Sequence, residues 1–155
     1  MLTYIIHDQE RQDMIEEFHH VAIGVSDLNK AVEFYTETLG MEIDYSAHHI
    51  GAIVDKVVDV ENAELDVRVV KKDGIRLELI DYVGKKKKDG GYTEQDSLGL
   101  LHICFRVSEI DKEYERIKSL GWKPNTPPVV TRENGPKLFY FKGPDNVIIE
   151  FYQKQ

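Results

Sequence analysis

Two histidines and two glutamates recur at matched places in this chain. His20 opens the segment HVAIGVSDL (residues 20–28) and His102 opens HICFRVSEI (residues 102–110). Both read H-x-x-x-x-V-S-[Asp/Glu]-[Leu/Ile], at an offset of 82 residues (102 minus 20). Glu78 closes DGIRLE (73–78) and Glu150 closes DNVIIE (145–150), at an offset of 72 (150 minus 78). The first copy therefore carries ten more residues between its matched blocks. Imidazole and carboxylate together are the donor set of a divalent ion such as Zn, Ni, Co, Mn or Fe. Each glutamate also sits in an apolar run, Glu78 between Leu77 and Leu79, Glu150 between Ile149 and Phe151. Burying a carboxylate there is costly unless it is paired or binds a metal. A lone histidine or glutamate of this kind is ordinarily a half-exposed or satisfied structural residue. The repetition, with both types in both copies, makes four of them a candidate metal site.

The elements that must carry these residues repeat as well. Residues 18–25 and 101–107 alternate as strands. Val21, Ile23 and Val25 share one face and His20, Ala22 and Gly24 the other; Ile103, Phe105 and Val107 stand against His102, Cys104 and Arg106. Ser26 and Ser108 are the expected helix caps, each followed by an acidic residue suited to the helix dipole. Leu28, Val32, Tyr35 and Leu39, and then Ile110, Tyr114, Ile117 and Leu120, recur at helical spacing. Gly40 and Gly121 stand where a helix wants a left-handed terminal residue. Strand-like runs follow at 41–46, 64–71 and 75–82, and at 128–131, 137–142 and 147–152. Asp73-Gly74 and Asp145-Asn146 are turn pairs that tolerate positive φ. Residues 50–58 fit a short helix that can form part of the insertion. The pattern is βαβββ written twice, an α+β fold of two tandem modules forming a curved mixed sheet around a metal cavity. Residues 1–155 make a single domain, with modules at 18–82 and 100–152, an N-terminal extension at 1–17 and a linker at 83–99.

Composition narrows the partners. The chain has 155 residues with 20 Lys+Arg against 28 Asp+Glu, a net charge of −8, which argues against a basic nucleic-acid-binding face. No apolar run approaches the length of ~20 residues needed to span a bilayer. The single cysteine, Cys104, excludes a disulfide framework and a thiolate-rich zinc cluster. The N-terminal residues lack the basic and apolar regions of a secretory signal, so a cytoplasmic location is expected.

The segments FHHVAIGVSDLNKAVEFYTETLGM, RLELIDY, GLLHICFRVSEIDKEYERIKSLGW and FKGPDNVIIEFY resemble the vicinal oxygen chelate superfamily. That superfamily includes glyoxalase I, methylmalonyl-CoA epimerase, extradiol dioxygenases and the fosfomycin and bleomycin resistance proteins. The resemblance covers residues 18–152. It implies paired βαβββ modules around a metal, with His20, Glu78, His102 and Glu150 as ligands of one divalent ion. Four protein ligands leave two octahedral positions for neighbouring substrate oxygens. The ion then acts as a Lewis acid toward an enediolate, and a ligand-side glutamate, Glu78 or Glu150, moves the proton α to the carbonyl. The expected activity is a lyase or isomerase of the glyoxalase I or methylmalonyl-CoA epimerase type. Epimerases usually carry Gln at the place of Glu78. A ring-cleaving dioxygenase and a small-molecule binding or resistance protein without turnover are the alternatives. The partners implied are a small-molecule substrate and a second copy, as a homodimer; the modules can pair within one chain or between two.

Neighbouring residues extend the site. Arg76 and Arg106 share faces with Glu78 and His102 and are candidates for holding a substrate carboxylate, against a rim salt bridge as the alternative. Tyr35, Tyr140 and Tyr152 are candidate pocket hydroxyls, and Cys104 a small pocket-lining residue. His19 points opposite His20 in this alternation and is not a ligand. His48, His49 and the Lys85–Lys88 run read as solvated loop residues.

Overall fold

The computed structural model describes residues 17–88 and 99–154. The N-terminal extension and most of the linker lie outside the described residues. The first repeat contributes β1 (Val21–Gly24), α1 (Leu28–Glu33), β2 (Glu42–Ile50), α2 (Ala52–Val58), β3 (Glu64–Lys72) and β4 (Ile75–Tyr82). The second contributes β5 (Ile103–Arg106), α3 (Ile110–Ser119), β6 (Val129–Val130), β7 (Lys137–Lys142) and β8 (Ile148–Gln153). The result is an α+β fold with two four-stranded mixed sheets, ordered β1-β4-β3-β2 and β5-β8-β7-β6. In each sheet the first strand runs parallel to the last and the remaining pairs are antiparallel. None of the described helices is long and apolar enough to cross a membrane.

Local chemistry explains the turns. Asp73 and Gly74 have φ of 50° and 80°, which closes a two-residue hairpin between Lys72 and Ile75. Asp145 and Asn146 take φ of 54° and 63° in the short turn between β7 and β8. The helix starts differ from expectation by one residue. Asp27, not Ser26, caps α1, its carboxylate accepting the Lys30 N–H at 3.1 Å. The Ser26 N–H instead donates to Asp145 Oδ2 at 2.9 Å, tying the first repeat to the second. At α3 the cap position is Glu109, not Ser108, and the Ile110 N–H donates to Gln153 Oε1 of β8 at 2.7 Å.

β2 is longer than its sequence signal. It pairs with β3 from Glu42 to Ile50, interrupted by a bulge at Asp44. His48 and His49 are consequently strand residues, and His48 Nδ1 lies 2.7 Å from Asp66 Oδ1. β6 is shorter than the predicted 128–131, with two residues.

The two sheets back onto one core. Val25, Leu28, Ala31, Phe34, Tyr35, Val70, Leu77 and Leu79 from the first repeat join Ile110, Ile117, Phe139, Phe141, Ile149 and Phe151 from the second in one buried cluster. Burying each large side chain of this kind contributes roughly 1.5–3 kcal/mol. Phe34 is the main link: its ring centroid lies 4.8 Å from Trp122 and 6.3 Å from Phe141. α1 continues into a π-helical turn, Phe34–Thr38, which turns Phe34, Tyr35 and Thr38 inward together. Arg116 of α3 adds a polar tie, its Nη2 donating to the Thr38 carbonyl at 3.0 Å.

The contact at Phe34 yields a stability prediction. A Cβ at Gly143 would lie 2.7 Å from Phe34 Cζ, and Phe34 is buried against Trp122. The ring or the backbone at Gly143 must shift to admit the methyl group. Gly143→Ala is expected to destabilise the protein by about 1–3 kcal/mol, read as a lower urea midpoint at unchanged slope. A midpoint equal to wild type would show the two repeats to be less closely fitted than described.

A second, smaller cluster covers the other face of the first sheet. α2 lays Val54 and Val58 over Ala63, Leu65, Val67 and Val69, with Ala47, Ile80 and Tyr82 beside them. Asp55 anchors the helix by accepting the backbone N–H groups of Asn62 at 3.0 Å and Ala63 at 2.7 Å.

Candidate metal centre

Strand register builds the two halves of the site in the same way. Ala22 of β1 stands opposite Glu78 of β4, and Cys104 of β5 opposite Glu150 of β8. His20 and His102 each lie two residues before that contact, just outside their strands. The histidine reaches diagonally to the glutamate: His20 Nε2 to Glu78 Oε2 is 3.3 Å, and His102 Nε2 to Glu150 Oε2 is 2.9 Å.

These separations match the donor chemistry of a divalent ion. Two cis ligands at about 2.1 Å from one metal stand about 3 Å apart. The same spacing suits a hydrogen bond between the pair, so each pair is self-consistent with or without an ion. His102 Nδ1 adds a second observation, being buried with no hydrogen-bond partner. The Tyr35 hydroxyl, in the shared core, is likewise buried without a hydrogen-bond partner.

The four residues come together in twos and not as a quartet. Among the described residues no three of His, Cys, Asp and Glu group closely enough to hold one ion. The cause lies in the faces. Leu77 and Leu79 flank Glu78 on its strand and enter the shared core, as do Ile149 and Phe151 around Glu150. Each His–Glu pair is therefore on the side of its sheet turned away from that core. Two clefts among the described residues lie elsewhere. One of about 480 Å³ is lined by Asp27, Glu33, Phe34, Trp122 and Asp145, another of about 390 Å³ by Lys71, Lys72 and Arg76. Neither includes a His–Glu pair.

The surroundings of the pairs differ. Cys104 of β5 and Tyr140 of β7 are the register neighbours of Glu150 and share its face of the sheet. Burial, followed by the Glu150 charge, pushes the Cys104 thiol up to about 11, so it remains protonated at neutral pH and is a poor nucleophile. The same causes raise the Tyr140 hydroxyl. The Tyr140 ring also meets His102 edge-on at 5.4 Å. Around Glu78 the register neighbours are Ala22 and Val69, which carry no donors.

Several neighbours sit where the alternation alone did not place them. His19 is against His20, with the two Nδ1 atoms 2.7 Å apart, rather than pointing away. β1 begins only at Val21, so period-two geometry does not extend to residues 19 and 20. Tyr35 is in the shared core and contributes nothing to either pair, and its hydroxyl is raised by burial and the charge of Asp145. Arg76 is held by Asp44, its Nε donating to Oδ2 at 2.9 Å while Lys71 donates to Oδ1 at 2.7 Å. Those two cations keep the Asp44 carboxyl below its ordinary range. Arg106 is exposed and makes no ion pair among the described residues. Asp44 had no sequence signal; the bulge that turns it toward Arg76 follows from strand register. α2 was legible as a helix, but its position over the Glu78 face of the sheet was not.

The family of the chain follows from comparison with known proteins. The Glyoxalase/Bleomycin resistance protein/Dioxygenase superfamily model matches residues 17–151. Ethylmalonyl-CoA/methylmalonyl-CoA epimerase of Cereibacter sphaeroides is 30% identical over 109 residues, covering 70% of this chain and 73% of that protein. Glyoxalase I of Saccharomyces cerevisiae is 32% identical over 118 residues, covering 68% of this chain but 35% of the yeast protein. Among solved structures, a glyoxalase family protein from Bacillus cereus superposes with a TM-score of 0.79 at 23% identity, covering 89% of this chain and 93% of that one. Fold, repeat and sequence agree: the chain belongs to the Glyoxalase/Bleomycin resistance protein/Dioxygenase superfamily.

Proposed function

We propose that this protein is a divalent-metal-dependent lyase or isomerase that moves a proton at the carbon α to a carbonyl. We further propose that its site is completed by a second copy of the chain. One observation carries the reading: each module sets a histidine 2.9–3.3 Å from a glutamate on the sheet face that looks away from the shared core. The pair from module 18–82 of one copy, His20 and Glu78, would join His102 and Glu150 from module 100–152 of the other. When bound, a divalent ion supplies Lewis-acid polarisation of a substrate carbonyl.

The residues of the chain do the rest. His102 is braced by the ring of Tyr140, and His20 by the ring nitrogen of His19. Such outer contacts fix the orientation of a ligand ring. A glutamate carboxylate oxygen accepts the proton as the C–H bond breaks, and the electron pair moves toward the carbonyl oxygen. Return of the proton to the neighbouring carbon gives isomerisation; return to the opposite face of the same carbon gives epimerisation. No oxidant or reductant is needed. Arg106, exposed and unpaired among the described residues, is the side chain available to a substrate carboxylate. Arg76 is already engaged by Asp44.

Metal analysis of the purified protein, followed by assays on the glutathione hemithioacetal of methylglyoxal, methylmalonyl-CoA and catechol, tests this reading. Bound divalent metal with turnover of either of the first two supports it. Oxygen uptake with catechol by the iron-loaded protein would assign a dioxygenase instead. Tight ligand binding without turnover, in a protein tolerant of Glu78→Ala, would assign a binding protein.

A further inference from the structure

We propose that α2 is a clasp between two copies of this chain. Its outward face, with Ile53 and Val57, docks on the outward face of the second sheet of another copy, at Val129, Leu138 and Tyr152. The proposal shares the second copy with the reading above, names the surface that joins the two, and needs no ion.

The helices differ in what they show to water. α3 turns Ile110 and Ile117 inward and exposes Asp111, Lys112, Glu115 and Lys118. α2 lays Val54 and Val58 on the first sheet, yet its outer side is also apolar. Ile53 is 81% exposed and Val57 78%, with Lys56 the one charge beside them on that side. Four residues apart on a helix, Ile53 and Val57 are neighbours. Ile50, two residues before the helix, is 63% exposed as well. A helix that is apolar all round belongs in a covered place, and contiguous exposed apolar side chains mark a contact surface where scattered ones do not. The second repeat has no counterpart of α2, whose residues fall in the longer first copy.

The matching surface is the outward side of the second sheet. Residues opposite one another across neighbouring strands project on the same side. Val129 of β6 is opposite Leu138 of β7, Leu138 opposite Tyr152 of β8, and Tyr152 opposite Arg106 of β5. Tyr152 is two residues from Glu150, so the whole row stands on the Glu150 side. Val129, Leu138 and Tyr152 enter neither buried cluster of the chain, and no described helix covers them as α2 covers the first sheet. Within one chain the two surfaces cannot meet, because the sheets turn their backs to one core. Between two copies related by a twofold axis they meet twice, α2 of each on the second sheet of the other. Each clasp then counts double toward the roughly 800 Å² that a stable dimer buries per copy. Charge agrees: Asp59 and Glu61, just after α2, are exposed without an ion pair among the described residues, and so is Arg106 at the end of the row.

Sedimentation velocity of the full-length protein over a concentration series tests the clasp. Ile53→Glu is expected to raise the dimer dissociation constant about tenfold or more, as loss of a central interface anchor does. Ile53→Leu keeps the volume and should stay within about threefold of wild type. Because Ile53 is exposed in the single chain, dilute Ile53→Glu and dilute wild type should share one urea midpoint. Val129→Lys, on the other side of the contact, should weaken the dimer as Ile53→Glu does. One copy carrying Ile53→Cys and another carrying Val129→Cys, both in a Cys104→Ser background, should be joined by a short bismaleimide into a mixed covalent dimer that neither forms alone. In the same background Ile53→Cys should be shielded from a simple maleimide only at concentrations where the dimer forms. Shielding that is independent of concentration places another part of the same chain over α2 and overturns the clasp. A dimer left intact by Ile53→Glu overturns the clasp alone, and a site shared between copies still stands. A wild type that stays monomeric at every concentration overturns the clasp and the shared site together.

Discussion

Two inactive copies of this chain, mixed, are expected to recover metal binding. One copy carries His20→Ala and Glu78→Gln, so its first pair is gone; the other carries His102→Ala and Glu150→Gln. Neither alone can assemble a quartet, within a chain or between two. In a mixed twofold dimer, however, the intact second module of the first copy meets the intact first module of the other. Random pairing then restores about one quarter of the wild-type metal per chain. Metal analysis after mixing in mild denaturant, with mixed dimers verified by native mass spectrometry, reads the result. If mixed dimers form and carry no metal, the quartet is not shared between copies. The expectation follows from one feature of the fold, the single core onto which both sheets back.

The second large effect tests that core. Phe141 is fully buried and its ring meets Phe34 of the first repeat at 6.3 Å and Phe151 at 5.4 Å. Phe141→Ala removes a ring from the seam between the repeats and leaves a cavity there, at an expected cost of about 3–5 kcal/mol. That is a large share of the roughly 5–15 kcal/mol that holds a domain of this kind together. Tyr140, the adjacent residue, lies on the opposite face beside Glu150. Tyr140→Phe keeps the ring against His102 and is expected to cost about 1 kcal/mol or less. Urea unfolding followed by circular dichroism separates the two. A Phe141→Ala variant within 1 kcal/mol of wild type would mean that the repeats do not share a core, and the outward orientation of the two pairs would lose its basis.

What could be read from the residues, and what could not, divides by range. The repeat, the two turn pairs and the glycines that end both helices are local signals. Gly40 and Gly121 indeed take φ of 65° and 89°. The period-two sorting of Val21, Ile23, Leu77 and Leu79 onto one face is local too, and these residues do enter one cluster. The helix starts moved because their N–H groups were claimed from far away. Asp145 takes the Ser26 N–H across 119 residues and Gln153 takes that of Ile110 across 43. His19 was misplaced because alternation was extended beyond the end of β1. Tyr35 stood both in the apolar stripe of the first helix and among the candidate pocket hydroxyls, and the structure places it in the core. The histidine–glutamate pairing was visible as a recurrence of types. That the pairs stand back to back is a property of how two amphipathic sheets bury their apolar faces, and no spacing in the chain encodes it.

Two sheets that share one hydrophobic spine and turn their donors outward have a thermodynamic consequence. If the proposed site is shared between two copies, a lone chain would offer an ion only two bidentate fragments. Association and metal uptake would then be linked equilibria, each drawing the other forward by mass action. Apparent metal affinity would rise with protein concentration, and the dimer would tighten as the ion is supplied. Dilution and chelation would act on it as the same perturbation.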